Sequence, residues 1–216
     1  MICIHDEELA RRARVMGYWG RQSTLFGAYE KSEEMHRRFS GRLDGKPYDA
    51  KFIFSEIGYN MQPTEMQGAF GLVQLRRYPG FAVTRKKNFM HLMRFFSQYK
   101  HCFILPRQHP LANTPWLAFP LTLKEGVKFN RIDLAQYLEE HNIQTRPIFT
   151  GNVLRQPAFK SLAGRVVKME DFPVADMIMR NGILIGCHHG IGPKHLKHLT
   201  STFASFLRLH GYTAME

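Results

Sequence analysis

Asn60 heads the most chemically suggestive stretch of this sequence. Gly58-Tyr59-Asn60 runs shortly into Thr64-Glu65-Met66-Gln67, the pattern of a capping box. There the Thr hydroxyl and the Gln side chain satisfy orphan amides reciprocally and start a helix. A carboxamide beside a helix amino terminus suits an anion, because the helix dipole and the unbonded amides of residues 64–67 favour negative charge. The other reading of Asn60 is a turn residue at positive φ. For Tyr59, core packing is expected over ligand contact.

A second group of reactive side chains lies near the carboxyl end. Cys187, His188 and His189 are consecutive, and His195 and His198 lie three apart. Helical histidine pairs that hold zinc commonly stand four apart and recruit a carboxylate, so surface or packing histidines are expected and no metal site. Cys187 beside His188 has the residue types of a nucleophile and its base, but neighbours in sequence need not be neighbours in space. A buried cysteine at a strand end is the expectation. Gly190-Ile191-Gly192-Pro193-Lys194-His195 lacks the third glycine of a dinucleotide fingerprint. Neither a Walker motif nor a Gly-x-Ser-x-Gly elbow occurs.

The elements that must position these residues follow from periodicity. Asp6, Glu7 and Glu8 open a helix through Gly17, acids first and arginines later. Met1–Ile4 reads as the end of a strand. Residues 18–48 read as an irregular, functional insert. Met66, Ala69, Phe70 and Val73 form the stripe of one helix, which Pro79 and Gly80 should break. A second helix from Ala82 carries Phe89, Leu92, Met93 and Phe96. Strands are expected at 116–123, 143–149 and 183–185, with Pro120 marking an edge or bulge. Asn130 caps one helix, and Pro193 opens the last. The fold class is α/β, with a two-layer α+β unit at its centre.

Composition bounds the partners. Among 216 residues, 30 Lys and Arg face 18 Asp and Glu, a net charge of +12. No zinc-ligand pairs, RNA-binding aromatic strand or basic zipper accompanies that charge, so nucleic acid is not the expected partner and phosphate-bearing ligands stay open. Three scattered cysteines indicate no disulfide framework. With no membrane span or secretory signal apparent, a cytoplasmic location is expected.

Residues 58–77, GYNMQPTEMQGAFGLVQLRR, resemble the DegT/StrS family of pyridoxal-phosphate nucleotide-sugar aminotransferases and dehydratases. Asp6-Glu7-Glu8-Leu9-Ala10, Thr84 to Phe89, the Trp116 strand, the Asn130 helix, Thr145-Arg146-Pro147 and Cys187 to Gly190 fall in family order. Phe149-Thr150-Gly151-Asn152 and Arg155 to Phe159 are similar to the CDP-4-keto-6-deoxyglucose 3-dehydratase branch of lipopolysaccharide biosynthesis. The resemblance implies the carboxyl-terminal half of the aspartate-aminotransferase fold. Residues 1–80 would be a remnant of the cofactor domain and 81–216 the small domain with its connecting helix.

The resemblance also implies roles. Asn60 would hold the phosphate of pyridoxal or pyridoxamine phosphate in a neighbouring subunit, and Arg146, Asn152 and His188 would face the nucleotide-sugar substrate. The anchoring lysine, or the histidine that replaces it in 3-dehydratases, would lie upstream of Met1, so no catalytic residue is assigned within the chain. Gln62 stands where relatives carry Arg or Lys, and His189 where they carry proline. The implied function is part of an enzyme on 4-keto-6-deoxy sugars, inactive alone and completed by a homodimer or the missing half. The rival is a basic binding module that has lost the chemistry.

Overall fold

The computed structural model describes residues 3–25, 38–159 and 168–215. They divide into two units, Met1–Val73 and Gln74–Glu216.

In the first unit, Asp6 caps helix α1 (Glu7–Gly17) by accepting from the Leu9 amide at 2.8 Å, with Glu7 and Glu8 in the first turn. Two glycines then let the chain cross itself. Gly20 has φ +82°, and a Cβ there would lie 1.7 Å from the Glu56 carbonyl oxygen; a Cβ on Gly58 would lie 2.3 Å from the Gly20 nitrogen. Only glycine fits so close a backbone approach. The described part of the 18–48 insert is less irregular than expected. Residues 26–37 of that insert lie outside the described residues, but β1 (Gly41–Leu43) and β2 (Lys46–Tyr48) form an antiparallel hairpin. Asp44 and Gly45 turn it, both at positive φ as a two-residue hairpin loop requires. Of the strand expected at Met1–Ile4, Met1 and Ile2 lie outside the described residues, and Cys3 and Ile4 are not in a strand.

The break expected at Pro79 does not occur. One helix, α2, runs from Glu65 to Ser97 with Pro79 inside. A proline there removes the amide that would bond the Leu75 carbonyl, a disturbance of about 3 kcal/mol. Residues 75–80 are exposed, so water can take up that carbonyl. The capping box fixes one end of α2, and buried Asn88, Leu92 and Phe96 fix the other.

Four strands complete the second unit: β3 (Phe103–Ile104), β4 (Ala118–Leu123), β5 (Thr145–Pro147) and β6 (Gly182–Gly186). They form one antiparallel sheet in the order β3-β4-β6-β5. Pro120 therefore lies in an inner strand, not an edge. Its nitrogen is nonetheless spared a partner, because β3 pairs only with Leu123 and Thr122 and stops before reaching it.

Phe119, Leu121, Leu123, Ile183 and Ile185 share the face that meets Leu92 and Phe96 of α2. Helices α3 (Arg131–Glu140) and α5 (Pro193–Leu209) close this core with Leu134, Leu138, Phe203, Phe206 and Leu207. Asn130 caps α3 through a full capping box with Asp133. Sequence periodicity missed β3 and the short helix α4 (Pro173–Asn181). The result is the expected mixed architecture of helices on an antiparallel sheet. No helix among the described residues is long and apolar enough to cross a membrane.

Candidate functional site

Backbone bonds hold Asn60 in place. The Tyr59 amide donates to the Met16 carbonyl at 2.6 Å, the Met61 amide donates to Gly17 at 3.0 Å, and Tyr59 accepts from Trp19 at 3.0 Å. Asn60 itself bridges Tyr18 and is exposed. Its φ is not positive, which removes the left-handed turn as an explanation. The Oδ1 accepts from the Gln62 amide at 3.5 Å, and the Nδ2 has no partner among the described residues. Tyr59 is also exposed, so the core role expected for its ring fails: the backbone, not the side chain, ties this residue down.

The capping box forms as read, with Thr64 N donating to Gln67 Oε1 at 2.9 Å and Gln67 N to Thr64 Oγ1 at 3.3 Å. Those two amides are thereby occupied, so the first turn offers an anion those of Glu65 and Met66 rather than all four. Periodicity also gave no hint of Arg21. Its guanidinium carbon lies 5.1 to 5.7 Å from the ring centres of Tyr18, Trp19, Phe52 and Phe54, and its Nε is buried without a partner. The only signal was the dense aromatic content around Tyr18-Trp19 and Phe52-x-Phe54.

The other three candidates lie in the second unit. Arg146 is exposed on β5, where Nη1 donates to its neighbour's Thr145 carbonyl at 2.8 Å. Asn152 is 3% exposed. Its Nδ2 donates to Asp176 Oδ1 at 2.8 Å, and its Oδ1 accepts from the Leu154 amide. Asp176 also receives a two-pronged contact from Arg155. The hydrogen bonds from Arg155, then that from Asn152, hold the Asp176 carboxyl down at about 2. His188 is exposed beyond the end of β6, with Nδ1 accepting from the Gly190 amide at 3.1 Å. Desolvation of the ring lowers its pKa, and His189, Arg85 and His195 push the same way.

The strand register separates these candidates. His188 follows the carboxyl end of β6, whereas Asn152 lies beyond Pro147, which pairs with Ile183 at the start of β6. Sequence reading overlooked Asn88, which organises the histidine turn. Buried on α2, its Nδ2 donates to the carbonyls of His188 and Ile191, each at 2.9 Å. Cys187 is buried, donates to the Trp116 carbonyl at 3.2 Å, and has its thiol pushed up to about 12 by burial. It is a packing group, not a nucleophile. His195 Nδ1 accepts from Gly192 N, and His198 Nε2 contacts the His141 carbonyl.

A family model described as the DegT/DnrJ/EryC1/StrS aminotransferase family matches residues 1–204. The chain belongs to that family. Among DegT relatives, the lipopolysaccharide biosynthesis protein RfbH of Salmonella typhimurium is 37% identical over 176 residues, which cover 81% of this chain and 40% of that protein. The dTDP-4-dehydro-2,6-dideoxy-D-glucose 3-dehydratase of Saccharopolyspora spinosa is 29% identical over 202 residues, 93% of this chain and 43% of that one. An E. coli GDP-4-keto-6-deoxy-D-mannose-3-dehydratase, solved with bound hydrated PLP, superposes with a TM-score of 0.69 at 25% identity, covering 91% of this chain and 48% of the other. The aminotransferase of Psychrobacter cryohalolentis shares the fold at a TM-score of 0.74 and 15% identity, over 96% and 51%. This DegT-type chain thus spans about half or less of the length of the relatives it matches.

Proposed function

We propose that this chain is the carboxyl-terminal part of a pyridoxal- or pyridoxamine-phosphate-dependent enzyme, an aminotransferase or 3-dehydratase acting on a nucleotide-linked 4-keto-6-deoxy sugar. The observation that carries this reading is the family match over residues 1–204, with relatives named as 3-dehydratases and a lipopolysaccharide biosynthesis protein. On this reading unit one is a remnant of the cofactor domain, unit two is the small domain, and the assembly is a cytoplasmic dimer.

The residues present fit one part of the cofactor. Asn60 offers an exposed Nδ2, without a partner among the described residues, on a backbone held by hydrogen bonds beside the first turn of α2, which suits a phosphate. When bound, the cofactor supplies an electron sink for chemistry at the sugar carbons. The chain's own part is binding and orientation. Asn60 donates to the cofactor phosphate of the neighbouring subunit. Arg146 presents its remaining guanidinium donors to the substrate's phosphates, and His188 offers its ring Nε2 as a polar contact. Asn152, committed to Asp176, orders its own loop instead of touching substrate.

One further feature supports completion by another polypeptide or subunit. Met66 and Phe70 are 81% and 68% exposed, and Ile57, Met61, Leu72 and Leu75 are exposed as well. Apolar surface on this scale marks an interaction face.

The test is cofactor binding by this chain combined with the separately expressed amino-terminal part of the Salmonella relative. A visible absorbance band should appear in the mixture. Asn60→Ala should weaken binding by about 1.5–3 kcal/mol, roughly ten- to hundred-fold, and Asn60→Asp further, since it sets a carboxylate against a phosphate. Unchanged affinity in the Asp variant would end the phosphate role.

A further inference from the structure

We propose that the groove between α2 and the start of α5 is a separate site for a phosphorylated sugar. It is a cavity of about 630 Å³ within the second unit, lined by Thr84, Lys87 and His91 of α2, His189 of the turn, and Lys197 and Thr200 of α5. Asn60 plays no part in it, and the inference does not rest on the catalytic reading.

The charge of the lining is one-sided. Among the described residues, two lysines and two histidines line the groove and no carboxylate does. Lys87 and Lys197 have no acidic partner among the described residues. The first turn of α5 carries no acidic residue, and its N-cap is a glycine without a side chain, so the positive end of that helix adds to the lysines. A site with this balance attracts an anion, and lysine ammonium groups suit phosphate as compact point charges.

The hydroxyls narrow the ligand further. Thr84 Oγ1 donates to the Gly80 carbonyl at 3.1 Å, and Thr200 Oγ1 donates to the Leu196 carbonyl at 2.9 Å. Both threonines have therefore spent their protons on the helix backbone and present only lone pairs to the groove. An esterified phosphate dianion has no proton to give them, and inorganic phosphate carries few O–H groups. A ligand that carries several hydroxyl groups can satisfy both threonines.

Ile191, Pro193 and Leu196 add apolar surface suited to the C–H face of a sugar ring. The His189 ring is fixed in advance: it stacks on Phe81 with centroids 3.8 Å apart, and Arg85 Nη2 lies 3.3 Å from its Nδ1. Ammonium groups for a phosphate, acceptor oxygens for hydroxyls and apolar surface for a ring together describe a sugar phosphate.

Titration calorimetry on the full chain tests this with glucose 1-phosphate, inorganic phosphate and glucose. Glucose 1-phosphate should bind saturably, inorganic phosphate more weakly, and glucose not measurably. The Lys87→Met/Lys197→Met double variant should bind about a hundredfold more weakly, roughly tenfold for each lysine, while Lys46→Met in the β1–β2 hairpin should bind like the parent chain. Unaltered affinity in the double variant would overturn the proposal, as would equal binding of phosphate and glucose 1-phosphate, or no saturable binding. If circular dichroism shows the double variant unfolded, lysine acetylation of the parent chain decides. Glucose 1-phosphate should protect Lys87 and Lys197 relative to Lys46, and absence of protection would refute the site.

Discussion

Two apolar helical stripes within α2 have opposite fates. Phe89, Leu92, Met93 and Phe96 pack into the sheet core, with Leu92 and Phe96 fully buried. Met66, Phe70 and Val73 have the same spacing and stay exposed. Periodicity alone therefore says that a stripe wants a partner, not that this chain provides it. The core of the second unit is self-supplied by α2, α3, α5 and four strands. The stripe of the first unit finds no cover among the described residues.

Truncation at each stripe gives the largest expected contrast. Phe96 meets Phe103, Phe119 and Phe203 in the core. Phe96→Ala should cost about 3–5 kcal/mol, from lost transfer energy plus the cavity left behind. Phe70→Ala should change the stability of this chain by no more than about 0.5 kcal/mol. Urea denaturation of both variants checks the pair. Comparable losses would mean that the exposed stripe is covered in solution, and the contrast between the two stripes would fall.

Next in size is Asn88, the polar residue of the buried stripe. It clamps the histidine turn through two 2.9 Å bonds to backbone carbonyls. Asn88→Ala leaves those carbonyls unpaired and should cost about 1–3 kcal/mol, read as a lowered melting temperature. It should also loosen His188 and His189, visible as narrowed, averaged imidazole resonances. A variant with unchanged melting temperature would show that water replaces the clamp.

What could be read from sequence divides along the same physical line. Local signals worked at helix starts, where the partner lies within a few residues: Asp6, Thr64 and Asn130 cap helices as their side chains dictate. Proline misled twice, because its effect depends on what surrounds the backbone it leaves unpaired. At Pro79 that surrounding is solvent, and at Pro120 it is the gap beyond a two-residue β3. The Asp44-Gly45 turn was a legible hairpin signal that the irregular reading of residues 18–48 overlooked. Of the candidate site, Asn60 was legible through its position beside a capping box. Asn88, Arg21 and the commitment of Asn152 to Asp176 were not, since each joins residues far apart in sequence.

The smallest expected effect concerns a buried charge of the second unit. Asp176, in the first turn of α4, accepts from Arg155 and Asn152, and those bonds hold its pKa at about 2 against an ordinary 3.8. The unfolded chain therefore binds a proton in a pH range where the native chain does not, so stability rises with pH across that window. The contribution is complete above the unfolded value near 3.8 and is lost as pH falls towards about 2. Other carboxylates also titrate in acid: Glu139 is held low by hydrogen bonds from the backbone and then the side chain of Thr145. The informative quantity is thus a difference. Asp176→Asn should melt lower than the parent chain at neutral pH, since it loses the charge that Arg155 grips. The two melting curves should then converge as pH falls from 5 to about 2. A gap that stays constant over that range would mean that Asp176 acts through shape and hydrogen-bond count alone. The region around Asn152 would then owe its order to packing, as the core does, and the polar tie would drop out of the comparison.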